Sequence, residues 1–406
     1  MYASFALALF ATAVAAQGVS DQAADFVSWA SKYGKSYDTA DEFAFRAGIW
    51  ARSKAEVAAL NAQANGKGID VTFGTTGISD LTDEERLSLL GLSAQATEPV
   101  DGADAPRSDR GRGLQASNVN WQTAGKMHPV KNQGGCGSCW AFAAATVFEG
   151  MLAIRDGYTQ TGAGATPWRV SEQQAVTCSI NQGCNGGWMS YAWSYWMSND
   201  AVGNDTYPYT ATDNRQAACI TSFGAVRRER VGGYARVFPA SGDTYVQTPE
   251  ILAQLQNGPL SIAVGAGNSC WYYYTGGILT PEMGCPVNID HAVTLVAYTE
   301  TEAGTTECTT ETVESCYSPS RNEKRALTCS QDGYEERFST NRKGTFLSAC
   351  CTTFERETCT TTGGDAYWTI QNSWGTGWGE SGNMRIKPST GAGVSFMHYR
   401  IEHVWV

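Results

Sequence analysis

The chain has 406 residues, 42% of them apolar and 17% charged, which is long for one ordinary domain and too apolar for wholesale disorder. Its formal net charge of −11 argues against a nucleic-acid partner and for an acid-tolerant soluble protein. Thirteen cysteines, an odd number, would leave one thiol over if the other twelve paired.

Residues Tyr2–Ala16 are apolar or small apart from Ser4 and Thr12. That run is too short to span a bilayer and fits a signal peptide over residues 1–16, with Ala13-Val14-Ala15 as the cleavage site. No other stretch approaches the ~18 apolar residues of a membrane-spanning helix. The expected route is the secretory pathway, ending in a lysosome, a vacuole or outside the cell, where disulfides persist.

From Asp21 to Leu92 the sequence reads as helical, and Glu42, Arg46, Trp50, Val57 and Asn61 share one helix face. Ser79–Glu84 reads as a turn entering a short helix. Residues 93–113 change to Ala, Pro, Asp, Arg and Gly, with Arg107, Arg110 and Arg112 near their end. This is the composition of an exposed, easily cut linker. Beyond it a helix is predicted from Cys139 to just before Gly157. A second follows Ser171, whose side chain and Gln174 form a capping-box pattern, and a third has Thr248 as N-cap and Pro249 at its first position. Leu260–Val264, Ala292–Tyr298, Ala366–Gln371 and Met384–Lys387 read as strands. Helices followed by strands predict an α+β protein with helices segregated from an antiparallel sheet.

Residues 300–365 interrupt that pattern with fifteen threonines and six cysteines: Cys308, Cys316, Cys329, Cys350, Cys351 and Cys359. The segment reads as a mini-domain bulging from a strand connection, which loop-closure entropy permits at this length. Three internal disulfides would compensate for its thin core.

The densest local motif is Gln133-Gly134-Gly135-Cys136-Gly137-Ser138-Cys139-Trp140. Two cysteines three apart suit zinc, redox chemistry or a nucleophile. Zinc calls for about four Cys/His ligands in close pairs, and the four histidines supply no second pair. A thioredoxin-like pair would sit in a βαβ setting that is not apparent here. In the third reading Cys139 lies in the first turn of a helix, where the dipole and unpaired N–H groups favour a thiolate. A nucleophilic thiol needs a base and an orienter. His291 opens an apolar strand, and Asn372 ends another beside Trp374; His128 lies in a loop, and His398 and His403 lie in the C-terminal tail.

Taken together, Cys136-Gly137-Ser138-Cys139-Trp140, the distant His291, Asn372-Ser373-Trp374-Gly375 with Trp378-Gly379, and Gly183-Cys184-Asn185-Gly186-Gly187 resemble the papain-like cysteine peptidases. The resemblance runs from about Asp21 to Lys387 outside the linker and the insert. It implies a papain-like two-domain fold, with a helical left domain and an antiparallel β-barrel-like right domain, preceded by a helical propeptide. The implied spans are an inhibitory propeptide at 17–92, an activation linker at 93–113 and a peptidase at 114–406 carrying the insert.

The same resemblance implies the site. Cys139 attacks the peptide carbonyl as a thiolate, His291 pairs with it and protonates the leaving amine, and Asn372 orients the imidazole under the cover of Trp374. The Gln133 side chain and the Cys139 backbone N–H form the oxyanion hole. Gly186, Gly187 and Trp188 line the substrate groove, and Met189, Ala263, Ile289 and Ala292 wall an apolar pocket whose floor comes from the C-terminal tail. Family pairings are Cys136–Cys184 and Cys178–Cys219. The usual third partner of Cys285 is absent from residues 391–406, and Cys270 is its natural substitute, so Cys139 is the remainder.

In the N-terminal helix, Glu42, Arg46, Trp50, Ser53, Val57 and Asn61 follow the cathepsin-L-type propeptide pattern, with Trp, Ser and Val as departures. No occluding-loop-like insertion follows Gly187, which points to an endopeptidase. The expectation is a monomeric zymogen without metal or cofactor, inhibited by its own propeptide, acting on peptides and proteins, and activated by acid through cleavage between Ser93 and Leu114. A catalytically silent binding homologue and a transpeptidase using the same acyl-enzyme are the alternatives. Asn204-Asp205-Thr206 is the only glycosylation sequon.

Overall fold

The computed structural model describes residues 21–92, 118–162, 165, 167–180, 182–210, 218–238, 244–285, 288–300, 305–317, 335–340, 346–362, 366–398 and 400–406. The expected signal peptide and activation linker lie outside the described residues. In chain order the elements are α1 (Asp21–Lys32), α2 (Ala40–Lys67), β1 (Val71–Phe73), α3 (Asp83–Leu87), β2 (Val119–Asn120), α4 (Cys139–Arg155), α5 (Glu172–Cys178), α6 (Met189–Ser198), β3 (Ala201–Val202), β4 (Arg228–Glu229) and β5 (Gly233–Arg236). They continue with α7 (Thr248–Leu255), β6 (Leu260–Val264), α8 (Ser269–Tyr272), β7 (Tyr274–Leu279), β8 (His291–Thr299), β9 (Thr305–Tyr317), β10 (Glu335–Thr340), β11 (Phe346–Thr362), β12 (Tyr367–Gln371), β13 (Asn383–Ile386) and β14 (Ile401–Trp405).

The N-terminal segment folds on local signals. Thr39 caps α2 by accepting the Glu42 N–H at 3.1 Å, and Gly68 ends it in the left-handed region, returning its N–H to Ala64 and Asn65. Phe26, Trp29 and Trp50 form a small aromatic core with Tyr33, Tyr37 and Phe43 around them. Thr82 and Glu85 close a full capping box on α3. The segment is not all helix: β1 pairs antiparallel with β7, Val71 facing Gly277. At Gly277 (φ 82) a Cβ would stand 2.3 Å from the Asp70 carbonyl oxygen, so only glycine lets the two chains meet there.

The main sheet runs β1-β7-β13-β12-β8-β6-β14-β5, with β2 beside β8. It is an open path rather than a closed barrel, and β13 lies parallel to β7 while its other pairs are antiparallel. Helix α4 is buried along nearly its whole length, as a helix apolar on every side must be. It packs with α5 and α6 in one hydrophobic core, while the outer face of β6 and β8 contributes to a second.

Two caps differ in detail from the sequence pattern. Ser171 accepts the Gln174 N–H at 3.0 Å, but the Gln174 side chain turns away to Asp200, Trp196 and Val202, which leaves half a capping box. Gln247, not Thr248, is the N-cap of α7. The helix α6 gave no sequence signal, because aromatic residues surround it and blur the 3.6-residue period.

Residues 301–365 form a compact unit of their own. It holds a three-stranded antiparallel sheet in the order β10-β11-β9, and its register sets Cys308 opposite Cys359 and Cys316 opposite Cys351.

Candidate active site

Three disulfides frame the cleft and its surroundings: Cys136–Cys184, Cys178–Cys219 and Cys270–Cys285. Among the described residues with placed side chains, Cys139 is the free cysteine. It opens α4 and is fully buried. The backbone N–H groups of Ala292, Gly91 and Trp140 point at its sulfur and favour the thiolate, but burial outweighs them and pushes the thiol up to about 12.

His291 opens β8 and is also fully buried. Its Nε2 lies 2.8 Å from Asn372 Oδ1, which also accepts the Ser373 N–H at 2.8 Å. An oxygen that accepts from Ser373 is the amide carbonyl, so Nε2 carries the proton and Nδ1 is left as the basic nitrogen. Nδ1 makes no hydrogen bond in the structure. Burial pulls the imidazole down to about 4, against the opposing pull of Asn372. Trp374 lies 4.9 Å from the imidazole centroid and Trp271 lies 6.3 Å away, and Trp378 packs on both indoles. This aromatic wall keeps water off the His291–Asn372 bond.

Gln133 is buried across the cleft. Its Nε2 donates to the carbonyls of Leu89 and Cys136, both at 2.8 Å, and its Oε1 accepts from Ser373 Oγ at 2.6 Å. Ser373 thus fixes which way the amide points. It lay inside the Asn-Ser-Trp motif, yet the sequence offered no reason to give it a role.

The remaining sequence candidates fall along one groove. Gly187 pairs with Leu92, its N–H donating to the Gly91 carbonyl at 2.8 Å, and Leu92 donates to the Asp290 carbonyl at 3.0 Å. Leu92 belongs to the same hydrophobic cluster as Trp188, Met189, Ala263 and Ala292, and Ile289 borders that cluster. Gly186 precedes Gly187 with φ 116. Residues Leu89 to Leu92 therefore occupy the groove that the sequence assigns to substrate. The fit is close at Gly91, where an added Cβ would stand 2.0 Å from the Gly137 carbonyl oxygen.

The segment carrying Leu89–Leu92 is anchored by polar contacts. Arg46 bonds Glu42, both oxygens of Glu85 and the Asp80 carbonyl, and Lys35 meets Asp80 at 2.7 Å. Asn61 exchanges two hydrogen bonds with the backbone of Phe73, as a strand neighbour would. Ser53 donates to the Ser79 carbonyl at 2.7 Å and accepts from Arg86 at 2.9 Å and Tyr273 at 3.0 Å. A position where the chain departs from its pattern is thus a hub between the N-terminal segment and the body. Buried Arg86 lies over the rings of Tyr272 and Tyr273 at 5.4 and 5.3 Å, and no sequence period marked it.

Among the described residues no group of three or more His, Cys, Asp or Glu could hold a metal ion. No helix among them is long and apolar enough to cross a membrane.

Comparison with known proteins agrees with this geometry. The family model "Papain family cysteine protease" matches residues 115–402, and "Cathepsin propeptide inhibitor domain (I29)" matches residues 26–86. Digestive cysteine proteinase 2 of Homarus americanus is 30% identical over 66% of this chain and 78% of its own length. Fruit bromelain of Ananas comosus is 25% identical over 89% of this chain and 79% of its own. Two solved precursors share the fold: recombinant stem bromelain precursor (22% identity, TM-score 0.66, covering 95% of this chain and 99% of that one) and digestive procathepsin L2 proteinase from Tenebrio molitor larval midgut (24%, 0.65, 95% and 100%). The chain belongs to the papain family of cysteine proteases and is a cysteine-type peptidase made as a zymogen, with a cathepsin-type inhibitory propeptide ahead of its protease domain.

Proposed function

We propose that the protein is an endopeptidase in which Cys139 attacks the peptide carbonyl, His291 takes and returns the proton, Asn372 holds the imidazole, and Gln133 with the Cys139 N–H binds the oxyanion. Its inhibitory segment is residues 17–92, cut free within 93–113 from a peptidase at 114–406 that carries the insert at 300–365. The observation that carries this reading is the course of Leu89–Leu92 through the groove. The Leu89 carbonyl takes the Gln133 amide, so the oxyanion donor is already engaged. The group offered to the Cys139 sulfur is the Gly91 N–H, which has no electrophilic carbon to acylate. The segment thus fills the groove without being a substrate in it.

The oxyanion role has a direct test. The processed Gln133→Ala variant is expected to lose about a hundredfold or more in turnover, the 2.7–4 kcal/mol typical of one such donor. Steady-state hydrolysis of a peptide amide by the purified variant checks this, and near-normal turnover overturns the role.

Release by acid follows from Glu85. The Arg46 guanidinium holds its carboxyl below the usual carboxylate range. A depressed folded value means that the contact stabilises the folded propeptide above the ordinary pKa and is lost as pH falls through the depressed one. The Glu85→Gln zymogen lacks that contribution at neutral pH, so it is expected to shed its propeptide at a higher pH than the wild type. Mass spectrometry after incubation across pH 2–7 reads the profile, and superimposable profiles for the two proteins would sink the mechanism. Activation at low pH fits an acidic compartment of the secretory pathway as the place of action.

A further inference from the structure

The insert needs a source of stability that the pairing of its strands does not supply. Threonine, serine and charged residues fill most of the thirteen register pairs of β9 with β11. Apart from pairs that contain cysteine, Val313 opposite Phe354 is the one pair of two apolar residues. β10 pairs only with residues 346–351, so the ribbon from Thr352 to Thr362 is two strands wide. A two-stranded ribbon is marginal in water, and one apolar pair does not offset the entropy of ordering both strands.

The cysteines stand at register positions that close this ribbon. Cys308 is directly opposite Cys359, and Cys316 is directly opposite Cys351, eight residues away along each strand. An even spacing puts all four on one face of the sheet. Directly opposite residues of an antiparallel pair have Cα atoms about 4.5 or 5.5 Å apart, within the ~4.4–6.8 Å that a disulfide spans. Cys350 falls on the other face, with Tyr317 opposite it on β9 and Glu336 opposite it on β10, so no cysteine faces it within the sheet. Cys329, in the connection between β9 and β10, is then the cysteine left over.

We propose that the insert is a disulfide-stapled module with bridges Cys308–Cys359, Cys316–Cys351 and Cys329–Cys350, one of the fifteen pairings that six cysteines allow. Each bridge forms by thiol–disulfide exchange with a small-molecule disulfide such as oxidised glutathione. One cysteine thiolate breaks the S–S bond of the oxidant, and the second cysteine displaces the half that stays attached. The cysteine pair gives up two protons and two electrons, and the oxidant leaves as two thiols. Two staples hold the ribbon near its two ends on one face, and the third ties the β9–β10 connection to β11. A cut within residues 318–334 releases nothing, because both ribbon bridges still join β9 to β11. The insert therefore stays attached to a molecule that meets active peptidase during its own maturation.

The test uses the whole zymogen, never reduced, denatured in the presence of a maleimide and then digested with pepsin, at a pH where thiolates are too few to exchange. Mass spectrometry is expected to find the three linked peptides, with fragmentation separating Cys350 from Cys351, and the label on Cys139 alone. A link from Cys316 to Cys350, or label on any cysteine of the insert, overturns the pairing. The double variant Cys308→Ser with Cys359→Ser strands no thiol and keeps two bridges. Thermolysin at neutral pH is expected to cut its residues 305–362 about thirtyfold or more faster than those of the wild type, the low end of what one disulfide contributes. Equal cutting rates overturn the stapling role.

Discussion

Processed Cys139→Ser enzyme is expected to hydrolyse peptide amides about a millionfold more slowly than the wild type, the loss seen when the nucleophile of a protease is removed. The substitution should leave the fold intact, since Cys139 takes no part in a disulfide and lies in a close-packed site where serine is nearly isosteric. In the zymogen the thiol is pushed up to about 12 and the imidazole down to about 4 by burial. Between those values both groups are uncharged, and neither attacks. Removing Leu89–Leu92 admits water to both side chains, which lowers the thiol and raises the imidazole toward the point where they exchange a proton. An epoxide-type thiol reagent near pH 6 should therefore label processed wild type at Cys139 and leave the zymogen unlabelled. Residual turnover in Cys139→Ser within a hundredfold of wild type would assign the chemistry to another group.

The largest stability effect is expected at Lys131. Its ammonium lies 2.7 Å from Glu149 and 2.6 Å from Glu172, and all three side chains are buried. One cation cannot neutralise two carboxylates; burial and the neighbouring Glu172 push the Glu149 carboxyl up, so it retains a proton well above the usual range. Lys131→Met leaves Glu149 with no cation beside it and Glu172 with only Arg169, 3.6 Å away. Breaking a buried pair costs about 3–5 kcal/mol, which for a chain of this size lowers Tm by about 5 °C. A carboxyl whose folded pKa is raised favours the fold below its ordinary value of 4.5, and that contribution is lost as pH rises through the folded value. The deficit of the variant should accordingly be small near pH 4 and grow toward pH 8. Thermal unfolding of the zymogen across that range checks it, and a Tm loss that is constant with pH would refute the charge argument.

Lys131 stands two residues before Gln133, so the same cluster ties the oxyanion loop to α4 and α5. Its members gave no sequence motif, because they meet only after three separate segments have packed.

What could be read from the sequence follows the same divide. The start of α4, the strand at Leu260–Val264 and the residues Gln133, Cys139, His291 and Asn372 were legible, because each sits in a short pattern of its own. Ser53 and Ser373 were not, since a serine carries a role only through the partners that the fold brings to it. β1 was missed because three residues inside a helical stretch are too few to show a period of two.

The pairing of β1 with β7 has a consequence for the mature molecule. Once the propeptide leaves, β7 becomes a sheet edge, and bare edges invite pairing with other chains. This one is satisfied from within the peptidase at one residue. The Gly277 N–H is held by Glu380, itself gripped by Arg385, and the Gly277 carbonyl accepts from the Tyr274 hydroxyl at 2.6 Å. These bonds belong to the peptidase alone and survive cleavage. Maturation still frees the Ile278 N–H and the Tyr273 carbonyl, which the propeptide holds through Asp70 and Gly74 at 2.8 and 2.9 Å, so the uncovered edge keeps a donor and an acceptor that another extended chain could take.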